Sequence, residues 1–273
     1  MHFNFDFSTV QVLWTLTFAA LLVVLVVLLG RDRARRFPWF TASMALMALR
    51  MLASRMLYRR LPMVRSEEIF LVLADLGTIV TLLIVVEMAR RAFAGAERKV
   101  WIAATVALLA VGGVVLALWG PWPSYKTFMA ASEESVLRMM QLFAQKADLL
   151  ADVLIIQLGL LVALFGRYYN AGWRSHVQQI VIGLSTASIA QLAIRGTLQH
   201  IVAHVTIHSQ DDYQHIMGFM SKLDNANSTI FLVVLVWWIV CLWIDEPGAE
   251  NRFQVSGVRD QGADERAGDR ESE

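Results

Sequence analysis

Three observations predict an all-α, polytopic membrane fold with seven transmembrane helices. Hydrophobic residues make up 57% of the 273-residue chain and charged residues only 17%, with a mean hydropathy of +0.52. A soluble chain carries about a quarter charged residues. The apolar residues gather into seven runs, several of them near the ~20 residues that a spanning helix needs. The charges fall in blocks between those runs, so the formal net charge of +1 says little by itself.

The runs are Val10–Gly30, Trp39–Leu57, Ile69–Met88, Val100–Trp119, Leu149–Gly166, Val177–Leu198 and Ile230–Trp243. The first has no basic segment before it, and Arg31, Arg33, Arg35 and Arg36 follow it. A cleaved signal peptide has the opposite charge order, so the run reads as a retained helix. The second opens behind Pro38, a residue suited to a first helical turn, with Trp39 and Phe40 placed for the membrane interface. The third ends with Glu87 beside Arg90 and Arg91, which reads as an interfacial salt bridge. The fifth reaches full length only with Asp152 inside the membrane, and the seventh is short unless Asn227 and Ser228 are included.

Two connections are longer than a simple loop requires. Ser132–Lys146 carries Val136, Met139, Met140 and Phe143 at helical spacing and enters the fifth run without a breaker. The two together predict one helix of about 38 residues, roughly 57 Å long, which projects beyond the bilayer core. Thr206–Thr229 shows the same spacing through Tyr213, Met217, Met220 and Leu223. An outer helical cap over 121–147 and 199–229 is therefore expected on a transmembrane domain of residues 1–245. Residues 246–273 are polar and without apolar period, and read as a disordered cytoplasmic tail.

Orientation follows from the basic loops. Arg31 to Arg36, then Arg90, Arg91, Arg98 and Lys99, then Arg167 and Arg174 all fall on one side. Arg59, Arg60 and Arg65 dissent from the other side, partly balanced by Glu67 and Glu68. The sum places the N-terminus outside and the C-terminus inside. Trp39, Trp101 and Trp173 near inner ends, and Trp119 and Trp122 near an outer end, agree. The lone cysteine, Cys241, permits no intrachain disulfide. Compact loops without disulfides fit a bacterial inner membrane.

Arg50 is the residue that most needs an explanation. It lies about 18 Å from the inner end of its helix, slightly beyond the bilayer midplane. A guanidinium keeps its proton there and requires a partner, a ligand or a wet cavity. Ser43 and Ser54 share its face. Asp75 lies about 9–10 Å in from the outer end of the third helix, with Thr78 one turn below. Asp152 has Asp148 one turn before it on the same face, and Ser188, Gln191, Arg195 and Gln199 fall within an ~80° arc of the sixth helix. All belong to the outer half of the bundle. Arg50, Asp75, Asp152, Gln191 and Arg195 are the candidate ligand-binding residues. The competing reading is structural, with Arg50–Asp75 and Arg195–Asp152 as ion pairs that lock helices together, or with Arg195 and Asp152 reaching to the interface.

His200, His204 and His208 recur every fourth residue, a spacing that suits shared coordination of Zn²⁺ or Cu²⁺. An exposed polar helix face and a pH-sensing cluster are the other readings of this stripe. It lies about 140–220° away from the Gln191–Arg195 face on a straight helix. No His-Glu-x-x-His order accompanies it.

Several functions find no support. Ile230–Trp243 holds no lysine, so no retinal Schiff base is expected on the seventh helix. There is no Walker motif, Gly-x-Ser-x-Gly or dinucleotide fingerprint, and no catalytic set gathers. Basic residues sit at membrane flanks, so no nucleic-acid partner is expected.

Phe37-Pro38-Trp39-Phe40 and Val86-Glu87-Met88-Ala89-Arg90-Arg91, together with the seven-run layout, resemble bacterial seven-transmembrane sensory modules. These include the input regions of some histidine kinases; the chain also resembles stand-alone bacterial seven-span proteins of unknown function that carry a Phe-Pro-Trp-Phe stretch. The resemblance implies sensing, although no kinase domain is fused to the bundle. The expected function is a sensor-like or ligand-binding protein for a small polar or anionic molecule in the bilayer, acting through a cytoplasmic signalling partner. The alternatives are a transporter or permease component with buried Arg/Asp coupling, a Zn- or Cu-binding accessory protein built on the histidines, and a structural subunit of a larger complex.

Overall fold

The computed structural model describes residues 8–57, 63–93, 97–119, 122, 133–165, 175–204 and 210–245. The described residues contain no strand. Their eight helices are α1 Thr9–Gly30, α2 Arg33–Arg36, α3 Pro38–Leu57, α4 Met63–Ala92, α5 Arg98–Leu118, α6 Glu133–Phe165, α7 His176–His204 and α8 Gln210–Trp243. The expected tail, 246–273, and cap residues 121, 123–132 and 205–209 lie outside the described residues.

Five helices contain segments long and apolar enough to cross a membrane: Thr9–Gly30, Ile69–Ala92, Met139–Phe165, His176–Ile201 and Asp212–Trp243. Ile102–Leu118 of α5 is a shorter apolar helix. α3 falls outside this set because Arg50, Arg55 and several hydroxyls dilute its apolar residues.

The chain's local chemistry sets the helix ends. The hydroxyl of Ser8 caps α1 by accepting from the Gln11 amide at 3.3 Å. After Gly30 the chain turns through Asp32, whose φ of 53° is left-handed, into the single turn of α2. Pro38 then starts α3 where its missing N–H costs nothing. No helix contains a proline beyond that first position, so α6 and α8 run unbroken for 33 and 34 residues. Residues 133–147 and 210–229 are thus the opening turns of α6 and α8. The seventh apolar run extends back to Gln210 and takes in Lys222, which is exposed.

Six of the long helices form a closed ring in the order α1, α3, α4, α6, α7, α8 and back to α1. α5 packs on α6 from outside the ring, and α4 and α7 touch across it. We call the end that carries Arg31 to Arg36, Arg90 and Arg91 the basic end. The ring is tightest there. Phe37, Phe40, Met44, Met88, Leu235, Trp238 and Leu242 are all fully buried. The rings of Phe40 and Trp238 meet edge to face at 5.0 Å, and Trp238 Nε1 donates to the Gln179 carbonyl at 3.3 Å. Gly183 makes room for this indole: a Cβ there would lie 2.7 Å from Trp238 Cε2. Gly159 serves the α6–α7 contact in the same way, since its Cβ would lie 2.8 Å from that of Ser185. Small residues at such crossings let apolar helices approach closely in lipid.

The basic end is also held by polar contacts. Arg33, only 6% exposed, donates through Nη2 to the Ile244 carbonyl at 3.0 Å and to Asp245 at 3.0 Å, and it contacts the His176 ring. Arg31 adds a second bond to Asp245 at 3.1 Å. A cation thus closes the C-terminus of α8, where helix carbonyls lack intrahelical donors. The amide of Phe40 donates to Glu87 at 3.3 Å, and Glu87 also pairs with Arg91 at 3.4 Å.

Candidate functional site

The ring encloses a cavity of about 320 Å³ between α3, α4, α6, α7 and α8. Its walls change character along the bundle axis. Toward the basic end they are mainly apolar, with Met44, Ile84, Leu184 and Trp238 beside the hydroxyls of Ser43 and Thr81. Further from that end a polar belt begins, formed by Arg50, Thr78, Asp148, Asp152, Ser188, Gln191, Asn227 and Ser228. On α8 the interval from Asn227 in this belt to Trp238 at the floor spans roughly 16 Å of axis.

Two opposite walls carry the charge. On the α6–α7 side, Arg195 pairs with Asp148 at 3.1 Å and reaches Asp152 at 4.0 Å. Ser188 donates to Asp152 Oδ1 at 2.9 Å, and the Thr78 hydroxyl donates to Asp148. Asp152 is buried, and its other oxygen, Oδ2, accepts no hydrogen bond. On the α3 side stands Arg50. It is exposed, and among the described residues it has neither an ion-pair partner nor a hydrogen-bond acceptor. The wall between these two sides is α4, which packs against both α3 and α6.

Of the predicted site residues, Arg50, Asp152 and Gln191 share this cavity. Arg195 approaches from behind Asp148 and Asp152, and lines a second cavity of about 300 Å³ together with Trp119, Gln145, Lys146 and Gln199. Asp75 is half-buried on α4 and does not line the central cavity. The expected Arg50–Asp75 ion pair does not form: among the described residues neither group pairs with the other. The reason is the helical phase of α4, which turns Ala74, Gly77, Thr78 and Thr81 toward the cavity instead.

Asp148 emerges as a central residue, because it joins α4 to α7 through Thr78 and Arg195. Its position one turn before Asp152 was the sequence signal for it. Lys146 has no such signal. It lies over the Trp122 ring at 4.7 Å and donates to the Trp119 carbonyl, so it closes the C-terminal end of α5.

At the far end of α7, the rings of His200 and His204 lie 4.3 Å apart, and His204 Nδ1 donates to the His200 carbonyl at 2.9 Å. His208, the third expected Zn or Cu ligand, lies outside the described residues. Among the described residues no three His, Cys, Asp or Glu side chains gather where a metal ion would fit. Lys222 of α8 does not line the central cavity.

No protein-family model, curated protein or solved structure matches the chain.

Proposed function

We propose that this chain is a seven-span membrane protein, with its N-terminus outside and its basic end inside, that binds a small anionic or polar molecule in the ring cavity. Arg50 anchors the ligand's anionic group. Gln191 and the hydroxyls of the polar belt orient it, while Arg195 holds Asp148 and Asp152 in place. The bound state is read by a cytoplasmic partner at the basic end, in keeping with a sensor of the bacterial inner membrane.

The observation that carries this reading is Arg50, without an ion-pair partner among the described residues, on the wall of a cavity within an apolar bundle. A guanidinium has five donors and stays charged. Intramembrane cations left without a protein partner face water or a ligand. Bundle cavities of a few hundred Å³ with a few convergent polar groups are where small molecules bind.

The test uses protein purified in nanodiscs. Small molecules released on denaturation are compared by mass spectrometry between the wild type and Arg50→Ala. The reading expects at least one anionic or zwitterionic species in the wild type that is lost in the variant. Identical release from two equally folded proteins refutes it.

A further inference from the structure

We infer that the ligand is a zwitterion with an apolar body, its anionic group held by Arg50 and its cationic group by the Asp148–Asp152 wall. The inference rests on the reading of the cavity as a ligand site, and adds the chemical class.

Three features of the cavity carry it. First, the two charged walls are opposite in sign and do not neutralise each other. The α3 wall has the single positive charge of Arg50. The α6–α7 wall has two carboxylates, Asp148 and Asp152, and one guanidinium, Arg195, which leaves it one negative charge. Lys146 lies on the second cavity, over the Trp122 ring at the end of α5, and does not line this one. A monoanion would satisfy Arg50 and leave the acidic wall uncompensated. A monocation would do the reverse. A zwitterion answers both walls, which is the pattern expected of electrostatic complementarity.

Second, the acidic wall has an acceptor to offer. Asp148 lines the cavity with its side chain 38% exposed, and beside it Asp152 keeps one buried oxygen without a hydrogen-bond donor. A buried carboxylate oxygen left unsatisfied is costly, and an ammonium is the donor that repays most. Third, the belt gives way to Met44, Ile84, Leu184 and Trp238 in the direction of the basic end. An apolar body extending from the zwitterionic head would occupy that part and contact the indole.

The chemistry is shared by amino-acid-like solutes and by zwitterionic lipid headgroups. The experiment measures binding to nanodisc protein, made with phosphatidylglycerol, of three probes that carry one common phenyl body. These are phenylalanine, 3-phenylpropanoate and 2-phenylethylamine. Phenylalanine is expected to bind at least about tenfold more tightly than either of the others, the size of one lost charge-assisted hydrogen bond. Asp152→Asn is expected to remove that advantage, so that 3-phenylpropanoate matches or overtakes phenylalanine. Asp148→Asn reports the same change of preference if Asp152→Asn does not fold. Competition by added phosphatidylethanolamine assigns the site to a lipid headgroup, and lack of competition assigns it to a soluble zwitterion.

Equal binding of 3-phenylpropanoate and phenylalanine by the wild type overturns the inference and leaves the Arg50 anion site standing. Binding of 2-phenylethylamine alone, unchanged by Arg50→Ala, overturns both. No binding by any probe overturns the assigned class, and the cavity reading is then decided separately by the molecules released from purified protein.

Discussion

Arg195→Ala removes a cation that contacts two carboxylates, and its cost can be built from the geometry. The Asp148 contact is short, at 3.1 Å, but the Arg195 and Asp148 side chains are 27% and 38% exposed. A pair that open contributes at most about 1 kcal/mol. The Asp152 contact is longer, at 4.0 Å, but the Asp152 side chain taken alone is 11% exposed and its Oδ2 has no hydrogen bond. Stripping the partner from a fully buried ion costs about 3–5 kcal/mol. The long contact and the retained Ser188 bond place this case lower, at about 1–2 kcal/mol. The sum is about 1–3 kcal/mol. The assay is equilibrium unfolding of the purified protein in mixed micelles, followed by far-UV circular dichroism. The double variant Arg195→Ala/Asp152→Asn keeps the Ser188 contact and removes the stranded charge, so it should regain about 1 kcal/mol over the single variant. A loss below about 0.5 kcal/mol for Arg195→Ala would show that the pair carries no stability. A double variant no more stable than the single one would show that Asp152 does not feel Arg195.

Further outcomes follow from other contacts. Arg50→Ala should change unfolding free energy by no more than about 0.5 kcal/mol, because no partner among the described residues is stranded; a loss of several kcal/mol in the same assay would reveal a structural ion pair. Gly183→Ala forces a Cβ to within 2.7 Å of Trp238 Cε2. Overpacking of about 1–3 kcal/mol should exceed the gain of about 1 kcal/mol in helix propensity, lowering the melting temperature; an unchanged melting temperature and Trp emission would contradict the tight α7–α8 crossing. Arg33→Ala should cost about 1.5–3 kcal/mol through the charged bond to the Ile244 carbonyl and speed amide exchange at the end of α8. Unaltered exchange there would mean that α2 does not hold this terminus.

Much of the fold was legible because lipid-facing and buried helix faces are both apolar, so long runs with polar breaks mark the helices well. The continuous α6 could be read from the lack of any breaker before Leu149. Helical spacing over Thr206–Thr229 was legible too, but its continuity with the seventh run was not, because Asn225, Asn227, Ser228 and Thr229 resemble a loop in composition. In the structure they continue the helix, with the Thr229 hydroxyl donating to the Asn225 carbonyl at 2.8 Å. The candidate site was legible in part. Depth along a helix is set by a constant rise, so Arg50, Asp152 and Gln191 could be placed at similar heights. Partner choice depends on helical phase and on which helices are neighbours in the ring, and neither is written in a single helix. That is why Asp75 drew attention as the partner of Arg50, whereas the working pair is Arg195 with Asp148. The contact between Arg33 and His176 joins residues 143 apart in sequence and had no local signal.

The most direct test of the central claim is a cryo-EM map of the nanodisc-embedded protein at a resolution that defines side chains, inspected between Arg50 and Asp152. Density for a small molecule is expected against the Arg50 guanidinium, with its body directed to Trp238. An Arg50 guanidinium bonded to Asp75, with the ring closed and no cavity beside it, would contradict it.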